Sequence, residues 1–292
     1  MSHKYCHITI YGEQNMKDNP LSGYFRRPAI HLKLPTNGRF YPAGSIEMPE
    51  TGELPVYPMT ALDEITYKTP DALFNGSALV DVIKSCVPAI IDPWMIPQDD
   101  LTAILAAIRI ASFGHDLDID TTCPKCQEHS TYRVDLRNVL DNIVTPNYDN
   151  SYPIGDIKVY FKPLTYQDIN NNSKINFEEE QLAKMVNNAE MSEEEKLAKL
   201  SEAFKKVSNY TLETIVKNID RIVTPDASVD NSEYILDFLK HCERTVYDGI
   251  KKNIVTKRAS TDLKPIKVQC DNEKCKHKYN QPFTMDMSSF FE

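Results

Sequence analysis

The chain has 292 residues, 41% hydrophobic and 26% charged, with a formal net charge of −9. At ~150 residues per domain this allows about two domains and a sizeable core, and the acidic balance disfavours non-specific binding to nucleic acid or anionic membranes. Only nine glycines occur, and GxGxxG, the P-loop pattern, HExxH and GxSxG are all absent, so dinucleotide, NTPase, zinc-protease and hydrolase readings lose their main support.

Residues 1–12 carry Lys4 and two histidines but no apolar run, so they do not read as a secretory signal. The most apolar window, Ala103 to Ala111, is short and interrupted by Arg109, far from the ~20 residues a membrane span needs. Eleven of the 18 prolines precede residue 100. Residues 20–60 combine them with alternating apolar runs, Ile30-Leu32-Leu34, Ile46 with Met48, and Leu54 with Val56. A period of two predicts short strands, with turns at Asn37-Gly38 and Thr51-Gly52. Such a proline-rich segment reads as an extended β arm that lacks its own core and is ordered by partner chains. Its apolar pieces Phe40-Tyr41-Pro42 and Leu54-Pro55-Val56-Tyr57-Pro58 either fold over residues 61–113 or serve as docking sites.

Helical signals follow. Thr60 with Asp63 caps a helix over 61–68, and Thr69-Pro70 restarts one. After Asn75-Gly76, Leu79, Val82, Ile83 and Cys86 form one face until Pro88. Trp94, the single tryptophan, lies in a tight connection as a core anchor. Pro97 leads a helix over 98–113, with Leu101, Ile104, Leu105 and Ile108 as its buried stripe and Gly114 at its end.

Residues 117–136 alternate again and predict a strand, a turn carrying Cys123-Pro124-Lys125-Cys126, and a returning strand. Ile157-Val159-Phe161 predicts one further strand. From about 165 to 252 the chain reads as polar helix. Ser192 with Glu195 suggests a capping box, and Leu197, Leu200, Phe204 and Val207 a hairpin seam. Thr224-Pro225-Asp226 separates this from a second helix bearing Ile235, Leu239, Cys242 and Val246. The acidic runs at Glu178 to Glu180 and Glu193 to Glu195 read as solvated helix faces.

The last segment repeats the cysteine pattern: Ile266 and Val268, then Cys270 and Cys275, then a return through Phe283 and Met285. Two hairpins with paired cysteines at their tips make a zinc ribbon, in which four thiolates surround one structural zinc at ~2.3 Å. The candidate ligands are Cys123, Cys126, Cys270 and Cys275, a C-x2-C and a C-x4-C pair separated by 143 residues. C-x4-C is longer than the usual knuckle, so His277 or His129 stays open as a substitute ligand. Seven cysteines without a secretory signal do not form a disulfide framework. Cys6, Cys86 and Cys242 read as small buried hydrophobes. A redox-active Cys123–Cys126 pair is disfavoured because a strand, not a helix, follows it. Four protein ligands also leave no open position for catalytic water. Between 250 and 278, nine basic residues face three acidic ones. This stretch suits phosphates, an acidic protein surface or the chain's own acidic helices, but no interleaved aromatics suggest base stacking.

The expected fold is α+β: a β arm (1–60), a helical core (61–116), and two ribbon halves (117–143 and 265–292) bracketing a helical insertion (144–264). Leu34-Pro35-Thr36-Asn37-Gly38-Arg39-Phe40-Tyr41-Pro42, Gly52 to Thr60, Thr69 to Leu73, Ser85 to Pro88, Ile108 to Gly114 and Cys123 to Cys126 occur in that order. Together they make the chain similar to the baseplate hub proteins of T-even-like contractile-tailed bacteriophages. The match is good over about 30–140, looser at the C-terminal cysteines and weak in the acidic insertion. The resemblance implies a virion structural or assembly protein at the tail tip, made in the host cytoplasm, and not an enzyme. Its expected partners are other baseplate and hub proteins, with copies of itself possible. The alternatives are an assembly chaperone that leaves before maturation, a zinc-ribbon nucleic-acid binder, and a thiol oxidoreductase.

Overall fold

A computed structural model of the protein describes residues 19–68, 76–188, 192–261 and 263–283. The expected restart at Thr69-Pro70, Cys6, and the far end of the C-terminal return strand around Met285 lie outside the described residues. In chain order come β1 (Ile30–Leu32), β2 (Leu54–Val56), α1 (Ala61–Tyr67), α2 (Ser77–Cys86) and α3 (Gln98–Phe113). Next are β3 (Asp116–Thr122), β4 (His129–Asp135), α4 (Leu136–Asp141), β5 (Tyr152–Ile154), β6 (Ile157–Phe161), α5 (Tyr166–Asn188) and α6 (Glu193–Asn218). The last described elements are β7 (Ile219–Val223), β8 (Ser228–Val229), α7 (Ser232–His241), α8 (Arg244–Thr261), β9 (Ile266–Gln269) and β10 (Lys278–Gln281). The architecture is α+β.

Two apolar clusters organise the chain. The first gathers β1, β2, α1, α2 and α3 with Leu136, Tyr166 and Phe283. Capping sets the helices that build it. Thr60 and Asp63 form a reciprocal capping box at α1, and Gly76 enters α2 from the left-handed region at φ 74°, where a side chain would be strained. The anticipated faces are buried: Leu79, Val82, Ile83 and Cys86 on α2, and Ile104, Leu105 and Ile108 on α3. Trp94 stacks on Tyr166 with ring centroids 5.2 Å apart, anchoring the start of α5 to this cluster.

The proline-rich segment is not a free arm. β1 and β2 pair antiparallel, and Leu32, Leu34, Leu54 and Val56 are 0–6% exposed within the first cluster. The expectation that partner chains order this segment is corrected here, because its alternating side chains find their core on α3 of the same chain. Polar ties reinforce the packing. The buried Asp100 carboxylate accepts from the Thr36 backbone N–H at 2.8 Å and from its hydroxyl at 2.5 Å. Upstream of β1, the Arg26 guanidinium donates to the carbonyls of Pro58 and Ser85 and reaches Asp63 at 3.4 Å. Ile46 and Met48 form no strand; Ile46 makes a single bridge to Ile90.

The second cluster corrects the picture of an insertion that is helical apart from one strand at Ile157–Phe161. β5, β6, β7 and β8 form a four-stranded antiparallel sheet in that order. Val159, Phe161, Ile219 and Ile222 meet Ile235, Leu239 and Ile250 across it. Thr224-Pro225-Asp226, expected to separate helices, forms the turn between β7 and β8 instead. β7 follows α6 without a break, and its Ile219-Asp220-Arg221-Ile222-Val223 is too short to interrupt a helical reading of the sequence. The second expected helix also divides at Cys242 into α7 and α8. In the anticipated α6 seam, Leu197 is exposed and Val207 half-buried, while the side chains of Leu200 and Phe204 lie outside the description.

Candidate metal centre

β3 and β4 form one hairpin over seven paired positions, from Asp116 opposite Asp135 to Thr122 opposite His129. β9 and β10 form a second, from Ile266 opposite Gln281 to Gln269 opposite Lys278. The return strand of this second hairpin is thus Lys278–Gln281, a few residues earlier than expected, and Phe283 beyond it enters the first apolar cluster. Both hairpins stand on that cluster through Leu117, Ile119, Leu263 and Ile266. They are joined to each other by a 2.8 Å contact between the Thr121 and Tyr279 hydroxyls and by the Tyr132 hydroxyl donating to the Gln269 carbonyl.

This arrangement brings Cys123, Cys126, Cys270 and Cys275 together, all four Sγ atoms lying within 4.8 Å of one another. Across the hairpins, Cys126 and Cys270 approach to 3.5 Å and Cys123 and Cys275 to 4.0 Å. A tetrahedron with metal–sulfur bonds of ~2.3 Å has sulfur–sulfur edges of ~3.8 Å, and the two cross-hairpin distances straddle that value. Cys123 and Cys270 are buried, Cys275 is half-buried and Cys126 is exposed.

The turns show how two unequal spacings present equivalent sulfurs. In the first, the Cys123 carbonyl accepts from Gln127 N–H, Gln127 turns back at φ 64°, and Cys123 N–H closes on the Glu128 carbonyl. In the second, the Asn272 carbonyl accepts from the N–H groups of Cys275 and Lys276, and Lys276 turns back at φ 42°. Cys270 N–H then closes on the His277 carbonyl. Asn272 therefore occupies the turn position of Cys123, and the sulfur is supplied two residues earlier, from the end of β9. The side chain of Asn272 fixes the longer loop by accepting from Lys274 N–H at 3.0 Å. The long C-x4-C spacing is thus a knuckle with its first cysteine moved back onto the strand. Neither histidine joins the sulfurs: His129 Nδ1 is 3.0 Å from the Thr122 hydroxyl, and His277 stacks on Tyr279.

The electrostatics suit a cation. Burial opposes ionisation of Cys123, but hydrogen bonds from the Cys126 and Lys125 backbone outweigh it and bring the thiol down to about 7. Burial pushes Cys270 up to about 12, and its sulfur neighbours Cys126 and Cys123 push in the same direction. Four adjacent thiols do not all ionise unaided. A divalent ion would supply the missing charge, and backbone N–H groups aimed at the Cys123 sulfur already favour the thiolate that a metal requires. Four sulfur donors would close a tetrahedral shell, an arrangement that staples and leaves no position for a reacting water.

The model of the family described as T4 bacteriophage base plate protein matches residues 47–292. The chain belongs to this family. The match spans the α1–α3 core, the four-stranded sheet and both cysteine hairpins. Neither a search of curated proteins nor one of solved structures finds a match. As a T4-like baseplate protein, the chain is placed by its family in the virion tail among other baseplate proteins, as a structural component. Among the described residues, no helix is long and apolar enough to cross a membrane.

The other described cysteines of this baseplate protein lie away from the cluster. Cys86 is fully buried in the first apolar cluster, where burial pushes its thiol up to about 12, and Cys242 sits half-buried at the break between α7 and α8. The basic stretch is partly engaged within the fold. Lys257 donates to the Asn147 carbonyl at 2.6 Å, and its ammonium faces the rings of Tyr148 and Phe161.

Proposed function

We propose that this baseplate protein is a structural component of the hub region, acting through protein–protein contacts on a scaffold stapled by one zinc ion at Cys123, Cys126, Cys270 and Cys275. The observation that carries the reading is the convergence of four sulfurs from hairpins 143 residues apart in sequence. A metal there would tie both ends of the intervening module to the first apolar cluster and fix the module's orientation for assembly. The division into a core, two ribbon halves and an insertion over 144–264 is part of the same proposal. It is supported by a second apolar cluster drawn mostly from residues of that insertion.

Elemental analysis of the purified full chain should return about one zinc per chain. Co-purification from infected cells should return other tail-hub proteins. Mass spectrometry of mature particles separates a resident component from a chaperone that departs: the chain present at stoichiometric level supports the first, and its absence from particles but presence on assembly intermediates supports the second. Recovery as a monomer bound to no tail protein would refute both.

A further inference from the structure

A cavity of about 250 Å³ opens between α5, α6, α8 and the start of α3. At its floor lies Asp99, which is 5% exposed and whose Oδ2 has no hydrogen-bond partner. A buried carboxylate oxygen without a donor is costly, and Asp99 lines a space large enough for one or two side chains. The walls mix apolar side chains with the polar groups of Asn172, Tyr210 and Asn218. At the rim, Lys251 and Arg258 stand seven residues apart on α8, both exposed. Neither side chain makes a hydrogen bond or ion pair with the described residues. Lys257 also lines the cavity, but its ammonium is already held by Asn147.

The charges select the occupant. Two free cations at the rim repel a basic ligand and attract an acidic one, while the floor accepts a hydrogen bond from whatever enters. We infer that this cavity is a docking socket for an acidic segment of a neighbouring baseplate protein, its carboxylates held by Lys251 and Arg258 and an N–H or O–H donor seated on Asp99. The inference rests on the reading of the chain as a baseplate component that works by protein contacts. Val255, 57% exposed and at the cavity's edge, adds an apolar contact at the rim.

The test is site-specific photo-cross-linking. A benzoylphenylalanine at position 255 of the full chain is irradiated in infected cells and in purified particles, and cross-linked peptides are mapped by mass spectrometry. The expected result is a cross-link to an acidic segment of another baseplate protein. Lys251→Glu with Arg258→Glu should cut its yield roughly tenfold or more, the scale of like-charge juxtaposition in an interface. Asp99→Leu, which removes the acceptor and keeps the volume, should also lower the yield. Lys240→Glu, a single charge reversal outside the cavity, should not, and thermal melting followed by Trp94 fluorescence verifies that each variant folds. A cross-link confined to the chain itself, one to a basic or uncharged segment, or a yield indifferent to the Lys251 and Arg258 reversals would overturn the socket. Absence of the chain from both particles and assembly intermediates would instead overturn the baseplate reading on which it rests.

Discussion

Leu54→Ala separates a packed β segment from an arm awaiting a partner. Leu54 is fully buried against the helical core, and the substitution removes three carbons. At about 0.8 kcal/mol for each buried carbon the lost transfer energy is about 2.4 kcal/mol, and an incompletely collapsed cavity brings the total to about 3 kcal/mol or slightly more. Trp94 packs against the same cluster, and it is the sole tryptophan, so its fluorescence during urea unfolding of the isolated chain reads this core directly. Leu62→Ala on α1 is the control, since Leu62 is 70% exposed and its loss should stay within about 0.5 kcal/mol. If Leu54→Ala also shifted stability by less than about 1 kcal/mol in the isolated chain, the placement of the proline-rich segment on α3 would be wrong.

Burial raises Asp99 to about 6, against a smaller pull from the Tyr148 hydroxyl. The folded state therefore holds a proton between about pH 4 and 6 that the unfolded state has released, so this group's contribution to stability falls as pH rises through that window. Asp99→Asn should match the native chain near pH 4 and exceed it above pH 6.5 by on the order of 2–3 kcal/mol, checked by denaturant titration across pH. At the start of α5, Asp168 caps with Thr165 and pairs with Lys217 at 2.8 Å; Thr165→Ala should cost about 1 kcal/mol in the same assay. Gly249→Ala should destabilise despite the helix propensity of alanine, because the new methyl would strike the Tyr152 ring and hydroxyl. Adding Tyr152→Ala should relieve the clash, a non-additivity that a double-mutant cycle measures.

Much of the cysteine centre was legible in the sequence because its signals are local. Alternation over 117–136 and 266–268 implied strands, and cysteine pairs at the turns implied facing sulfurs. What the sequence did not show was how Asn272 replaces a cysteine in the second turn, since that depends on backbone φ and on which carbonyl closes the loop. The helices of the first cluster were equally legible from capping residues, proline and glycine punctuation, and the 3.6-residue period. β5, β7 and β8 were hidden for a different reason. They are two to five residues long, too short for alternation to register, and β7 continues directly from a 26-residue helix. They are strands because β6 offers β5 and β7 a partner and β7 in turn pairs with β8, and pairing of that kind leaves little trace in local propensity. The β1–β2 segment shows the converse: its period of two was plain, but which surface buried it was not. The cavity floor was missed because Asp99 reads as an ordinary acid in a helix's first turn; only the fold places it beneath α5, α6 and α8.

The most direct test of the stapled-scaffold account is the metal content of the full chain, measured alongside a Cys270→Ser variant. The account predicts about one zinc per native chain, loss of most of it in the variant, and faster hydrogen exchange in both hairpins, residues 116–135 and 266–281, with the α2–α3 core unchanged. A native chain purified under reducing conditions that binds no metal, or hairpins whose protection is indifferent to metal removal, would contradict it.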